Sequence, residues 1–129
     1  MKSLLLGLAL LTSASAFATG SLSCELSVGT LSTLSLSVGT SHMYGNPMIS
    51  DISLNGSGAS YRHINTEIPK DQVVNYMSTG SQLYILALDN EFNNKVLEMS
   101  YDFNKNKGSA VLTVDGKTMK LTKIKCELE

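Results

Sequence analysis

The sequence predicts an all-β fold: an antiparallel sandwich or small barrel of about seven to eight strands, with at most one short helical turn. Apolar and polar residues alternate along several segments, and a period of two is typical of strands with one buried face. Glycine, asparagine and aspartate recur between these segments, where turns are expected. Two cysteines, Cys24 and Cys126, lie near opposite ends of the chain. A disulfide between them would link the two terminal strands of either architecture.

The first residues have the features of an export signal. Met1-Lys2-Ser3 supplies one positive charge, a short apolar run follows, and small residues surround Ala16 and Ala18. A membrane span would need roughly 20 apolar residues, so this run is too short to be one. We therefore expect a cleaved signal peptide at residues 1–18, leaving residues 19–129 as a single all-β domain in the periplasm or outside the cell. Cleavage after Ala16 is the alternative.

The two cysteines are expected to form a disulfide, because an even pair in an exported protein is more often oxidised than free. Closing a loop of about 100 residues restricts the unfolded chain by roughly 4 to 5 kcal/mol in the chain-entropy model. That is comparable to the whole stability of a small domain. Acylation of Cys24, as in a lipoprotein, is disfavoured because the apolar run does not reach it.

The N-terminal part predicts three strands and a hairpin. Residues 21–28 and 34–38 alternate apolar side chains with serine or glutamate, as half-buried strands do. Residues 51–54 form a third, short segment that is closed by Asn55-Gly56, a dipeptide that favours hairpin turns. Residues 61–65 are its expected partner.

One later segment favours a helix. Pro69 suits the first turn, Val73 and Met77 are four residues apart, and Gly80 follows as a stop signal. We expect at most one short helical turn within residues 69–77.

The C-terminal part predicts a meander of four strands. Residues 83–88 are apolar on both faces, which indicates a central strand covered on two sides. Residues 97–103 and 110–114 supply the next two strands. Asp115-Gly116 predicts a tight hairpin into the last strand, residues 117–128.

The last strand shows two further patterns. Its apolar positions change phase between Leu121 and Ile124, and a bulge near Thr122-Lys123 would account for the change. Four lysines also lie along it. A basic binding patch is one interpretation, and we favour the other, that they protect a sheet edge from pairing with another chain. These residues are Lys117, Lys120, Lys123 and Lys125.

Charge and composition argue against several partners. The formal net charge is −1, and removal of Lys2 with the signal makes it −2. This balance favours neither nucleic acid nor an anionic membrane surface as a partner. The apolar stretches are too short to span a bilayer, so we do not expect an integral membrane protein.

The segment at residues 41–48 is the densest group of ligand-type side chains, with a histidine, two methionines and a tyrosine. Thioether and imidazole groups suit Cu(I). A copper site would need His63 or Met77 as well, and the sequence does not bring them to this loop. Methionines that plug one end of the core account for the segment without a metal. We therefore predict no metal and no cofactor.

Catalytic chemistry has no local signature in this chain. His42 and His63 could each act as a base, but no nucleophile-elbow motif accompanies them. Asp89 and Glu91 fall in an expected turn, where charges are common, so they are weak candidates for paired carboxylates. We predict that the protein is not an enzyme, and a small hydrolase using His42 or His63 ranks third among the functions.

The first-ranked function is a binding module. Loops on a rigid β scaffold commonly carry recognition residues, and five large polar or aromatic side chains lie in or beside predicted loops. The expected partner is an exported or envelope protein, for example a secreted hydrolase that the module inhibits. The candidate interaction residues are His42, Tyr44, Tyr61, Arg62 and His63.

The second-ranked function is structural. A subunit of a surface or envelope assembly would pair with its neighbour through an exposed edge strand. The serine-rich N-terminal strands are low in charge and would supply that edge.

Overall fold

The computed structural model describes residues 19–27, 31–43 and 46–128. The expected signal peptide and the candidate residue Tyr44 lie outside the described residues. Within them the chain forms eleven strands and one 3₁₀ turn, Lys70–Gln72. The strands are β1 (Thr19–Ser27), β2 (Thr33–Met43), β3 (Asn46–Ile49), β4 (Ile52–Ser57), β5 (Asn65–Ile68), β6 (Val73–Ser78), β7 (Gln82–Leu88), β8 (Lys95–Asp102), β9 (Lys107–Val114), β10 (Lys117–Leu121) and β11 (Lys123–Leu128).

The strands form two antiparallel sheets that enclose one core. The terminal sheet has the order β11-β1-β2-β4-β5, and β3 pairs with the last residues of β2. The meander sheet has the order β10-β9-β8-β7-β6, so strands that are consecutive in the chain are neighbours in the sheet. The predicted all-β antiparallel class is confirmed, and its form is a two-sheet sandwich. The strands outnumber the seven or eight expected for three reasons: the predicted strand 117–128 divides into β10 and β11, β3 lies in an expected loop, and β6 lies in the segment expected to be helical.

Alternate residues of both sheets fill the space between them. Removing such side chains from water is the main favourable term in folding, worth roughly 25 cal/mol per Å² of apolar surface. The largest fully buried side chains are Leu22, Leu26, Leu34, Leu36, Ile52 and Leu54 from the terminal sheet, Ile64 from the turn before β5, and Leu83, Ile85, Leu97, Met99 and Leu112 from the meander sheet.

The two ends of the fold meet where β1 pairs with β11. Cys24 and Cys126 lie directly opposite each other in this ladder, with their Cα atoms 4.0 Å apart, and form a disulfide across 102 residues of sequence. Both side chains are buried on the core side of their strands. The predicted disulfide is confirmed. Because β11 follows directly from the meander sheet, the bond also ties that sheet to the terminal sheet.

The chain passes from one sheet to the other at two places. Residues 69–72 connect β5 to β6, and Thr122 connects β10 to β11. The bulge predicted at this point is therefore wrong, because the chain leaves the meander sheet after Leu121 and enters the terminal sheet at Lys123. Leu121 and Ile124 are both buried, each reaching the shared core from its own sheet. The phase change in the sequence reflects this change of sheet.

The helical segment expected within residues 69–77 is confined to the 3₁₀ turn Lys70–Gln72. From Val73 onward the chain is strand β6, paired with β7. Two consecutive β-branched valines favour extended backbone, and pairing with β7 outweighs the weak helical spacing. A register shift between Val73 and Asn75 marks a β-bulge at Val74.

The hairpin turn expected at Asn55-Gly56 is also wrong. Both residues lie inside β4, opposite Ser35 and Leu34 of β2, and the turn into β5 comes later, at residues 58–63. Gly56 serves a different purpose there. A Cβ at this position would overlap the backbone carbonyl group of Tyr61, so only glycine allows the turn to fold back over β4.

Replacing Gly56 with alanine is expected to lower the free energy of unfolding by roughly 1 to 3 kcal/mol, the usual cost of overpacking against atoms that cannot move. Gly80 is the matched control, because a Cβ there would have no atom within 4 Å. Urea unfolding of the two alanine variants measures the difference. Equal stability of the Gly56→Ala and Gly80→Ala proteins would contradict the close approach of Tyr61 to β4.

Candidate functional site

The loop residues expected to form an interaction site do not form one cluster. His42 lies near the end of β2, while Arg62 and His63 are exposed in the turn between β4 and β5. That turn follows Ser57, which lies opposite Thr33 at the start of β2. Nine residues of strand at about 3.3 Å each separate the two ends of β2 by roughly 30 Å. A single small ligand therefore does not reach both groups.

Tyr61, a further member of the same group, is a core residue. Its side chain is only 5% exposed, and burial raises the pKa of its phenol. It closes one end of the core beneath the turn at residues 58–63, so its side chain offers little surface to a partner.

The separation of the histidines also bears on metal binding. Within the described ranges, no three or more histidine, cysteine, aspartate or glutamate side chains are grouped so as to hold a metal ion. His63 lies near the start of β2 and the position of His42 near its end, so His63 does not complete the copper set considered from the sequence.

Asp89 organises the loop between β7 and β8. Its carboxylate accepts hydrogen bonds from the backbone N–H of Asn93 at 2.9 Å and of Glu91 at 3.2 Å, and from the side-chain amide of Asn94 at 3.2 Å. The bond from the Asn93 N–H is the largest cause that lowers the pKa of Asp89. These contacts show that Asp89 and Glu91 belong to one turn, in which Asp89 has a structural role.

The outer face of the meander sheet, the side away from the core, is where apolar side chains collect. In β7, Leu83, Ile85 and Ala87 point into the core, and Tyr84 and Leu86 point outward. The prediction that this strand would be covered on both faces is wrong for the described part of the chain, because the terminal sheet packs on one side alone. Tyr84 and Leu86 are still half-buried, by their neighbours in the sheet.

Cross-strand register identifies the residues that share this face. Leu86 lies opposite Asn75 of β6 and Glu98 of β8, and Glu98 lies opposite Val111 of β9. Tyr84 lies opposite Met77 of β6, which is 45% exposed. We call the four apolar members the outer-face patch: Met77, Tyr84, Leu86 and Val111.

A charged pair holds Tyr84 in place. The Tyr84 hydroxyl donates to Glu98 Oε2 at 2.7 Å, and Lys95 Nζ lies 3.0 Å from Glu98 Oε1. The bond from Tyr84, followed by that from Lys95, lowers the pKa of Glu98, and the same bond to the carboxylate raises the pKa of Tyr84. In a regular strand Lys95 and Glu98 would point to opposite faces. A register shift where Leu88 meets Lys95 marks a bulge that redirects Lys95.

A shallow groove of about 350 Å³ lies beside the patch. Asp102 and Lys107 lie opposite each other in the register of β8 and β9 and contribute one charge of each sign to its wall. The apolar and aromatic part of the wall comes from Met77, Leu83, Tyr84 and Tyr101. The groove therefore presents apolar, aromatic and charged groups within one concave surface.

Sequence reasoning did not include the outer-face patch among the candidate residues. Part of its signal was present, because residues 83–88 carry apolar side chains at the positions facing away from the core. Met77 was assigned to a helix, and its place beside Tyr84 depends on the pairing of β6 with β7.

The outer face of the terminal sheet has a different character. Ser23, Ser37 and Ser53 lie opposite one another across β1, β2 and β4. Glu127 and Glu67 extend the same row at its two ends. Small hydroxyl side chains with charges at the margins are typical of a solvated face.

The N-terminal strands are not edge strands. β1 lies between β11 and β2, and β2 lies between β1 and β4. The expectation that these serine-rich strands would supply a pairing edge is therefore wrong. Among the described strands, the outermost are β5 and β11 in the terminal sheet and β6 and β10 in the meander sheet, and β3 is a further edge strand because it pairs with β2 alone. The C-terminal lysines lie on β10 and β11, where edge protection is useful.

No family model, curated protein or solved structure matches this chain. No helix in the described ranges has the length and apolar character needed to cross a bilayer. A functional proposal therefore depends on the surfaces of the molecule itself.

Replacing Glu98 with glutamine is expected to lower the pKa of Tyr84 toward its ordinary value, because a charged acceptor favours the protonated phenol. Carbon-13 NMR of the tyrosine ζ carbons between about pH 8 and 12 follows this titration. Glu91→Gln is the control, since it removes the same charge from the loop between β7 and β8. A Tyr84 titration that is the same in both variants would contradict the Tyr84–Glu98 hydrogen bond.

Proposed function

We propose that this chain is an exported, non-enzymatic interaction module that binds a protein partner through the outer-face patch. The observation that carries the proposal is the concentration of apolar side chains on a sheet face that no other described element covers. Contiguous apolar groups on a surface favour a binding site over a merely solvated face. The serine-rich face of the other sheet shows that the fold itself does not require such groups outside.

The chemistry of the patch suits a protein partner. Tyrosine and methionine are enriched at the centres of protein interfaces, and charged residues occupy the rims. Here Tyr84 and Met77 adjoin Lys95, Glu98 and Lys107, so both signs of charge are present. A nucleic-acid partner would favour a mainly basic surface.

The hydrogen bond to Glu98 supports the same interpretation. It orients the Tyr84 ring before any partner arrives, so less side-chain freedom is lost on binding. A rigid aromatic side chain with a polar end is the residue type that most often contributes strongly to binding.

Two properties support an exported location. Residues 1–18 have the composition of a signal peptide, and a buried disulfide between terminal strands is typical of oxidising compartments. The expected partner is therefore another exported or envelope protein.

A structural subunit ranks second. The uncharged strand β6 favours assembly through an edge, but growth of an open-ended sheet requires two complementary edges. β5, β10 and β11 carry charged residues, and β3 is short and contains Pro47. A small hydrolase using His42 or His63 ranks third, since no nucleophile-elbow motif accompanies either histidine.

Leu86→Lys is expected to weaken partner binding by about tenfold or more, because it places a charge among apolar groups that the partner would desolvate. The oxidised protein would be immobilised to capture its partner from the exported and envelope fractions of its source. Calorimetry would then measure the affinity of the identified partner for each variant.

Ser37→Lys is the control for this experiment, because it adds the same charge to the outer face of the terminal sheet. It should leave the affinity unchanged. Recovery of no partner above background, or a partner whose affinity is the same for Leu86→Lys and wild type, would overturn the proposal.

A further inference from the structure

Strand β6 differs from the other outermost strands of the two sheets. β10 and β11 each carry two lysines. β5 is only four residues long, contains Glu67 and is followed by Pro69. β3, which pairs with β2 alone, is also four residues long and contains Pro47. Charged residues, shortness and proline are the usual means by which proteins prevent edge strands from pairing with another chain. β6 has six residues, Val-Val-Asn-Tyr-Met-Ser, and none is charged.

Exposed apolar side chains adjoin the same edge. Val74 is 48% exposed and Met77 is 45% exposed, and both belong to β6. A groove of about 360 Å³ lies between this strand and β3. Met48 and Val74 both line it, as do the charged residues Lys70 and Asp71. Met48 is 55% exposed. An apolar cluster beside an unprotected strand edge is the combination expected of a pairing site.

The backbone of β6 has hydrogen-bonding groups directed away from β7. The Thr79 N–H donates to the Gln82 carbonyl and closes the β6–β7 hairpin. Bonded and non-bonded pairs alternate in an antiparallel ladder, so Tyr76 and Ser78 turn their N–H and C=O groups to the outer edge. No described strand pairs with that edge. The bulge at Val74 leaves residues 75–78 as a regular segment.

We propose that β6 pairs with β6 of a second copy of this chain, in antiparallel orientation, so that the two meander sheets become one continuous sheet. In this arrangement Met77 faces Met77 of the second copy. Tyr76 of each copy exchanges backbone hydrogen bonds with Ser78 of the other copy. Both outer-face patches then lie on the same side of the joined sheet, because Met77 points outward in each copy.

Charge and symmetry favour a second copy as the occupant. The charged residues that flank β6 in sequence are Lys70 and Asp71 before it and Asp89 after it. All three lie outside the paired segment, so no like charges face each other. When β6 pairs with β6 about a two-fold axis, the β6 edge of each copy is used, so the assembly closes at a dimer. One short strand per copy gives a small interface, at the low end of the range for weak and transient association. We therefore expect a dimer that depends on concentration.

Sedimentation equilibrium of the oxidised protein, from roughly 10 µM to 1 mM, tests the proposal over the range in which weak interfaces dissociate. The mean mass of the wild type should rise toward twice the monomer mass. Met77→Glu places two like charges opposite each other and should weaken dimerisation by about tenfold or more. Leu128→Glu is the matched control, because Leu128 is 48% exposed on another edge strand. This variant should dimerise like the wild type.

Ser78→Pro distinguishes backbone pairing from adhesion between side chains. Proline removes an outward N–H without breaking the β6–β7 ladder, and it should weaken dimerisation as Met77→Glu does. A wild type that stays monomeric up to 1 mM, an assembly larger than a dimer, or a dimer that survives both substitutions would overturn the proposal. Leu86→Lys, the variant that tests partner binding, should leave the dimer intact. Dimerisation and partner binding can therefore fail independently of each other.

Discussion

The pairing of β1 with β11 is the constraint on which the rest of the structure depends. The Cys24–Cys126 bond fixes the register of the two strands, and β11 follows β10 of the meander sheet after a single residue, Thr122. The disulfide-linked pairing of β1 with β11 therefore completes the terminal sheet and holds the end of the meander sheet against it. The bond closes a loop of 102 residues, so in the chain-entropy model its main effect is to restrict the unfolded chain.

Closure of the sandwich leaves each sheet with one outer face, and the two faces differ. The terminal sheet presents serine side chains such as Ser23 and Ser37. The meander sheet presents Tyr84, Leu86 and Met77. The core does not require apolar residues on the outer face of the meander sheet, and the proposed function assigns them to a contact with a partner protein. The uncharged edge of β6 borders this same face, which places both proposed contacts on one side of the molecule.

Patterns that depend on a few neighbouring residues were predictable from the sequence. Strand alternation gave the all-β class, and the Asp115-Gly116 turn has positive φ at both residues, 52° and 79°, as a type I′ hairpin requires. Features set by distant parts of the chain were not predictable. Gly56 is needed because Tyr61 folds back over it. His42 and His63 are far apart because they lie near opposite ends of one strand, β2. The members of the outer-face patch are neighbours only because of the register in which their strands pair.

The claim that the fold depends on the Cys24–Cys126 bond, through the restriction it places on the unfolded chain, is tested most directly by urea unfolding of the oxidised protein and of a Cys24→Ser/Cys126→Ser variant. The variant should lose about 2 to 5 kcal/mol of unfolding free energy, the typical effect of removing a native disulfide from a small domain. An unfolding free energy that is the same for both proteins would contradict it.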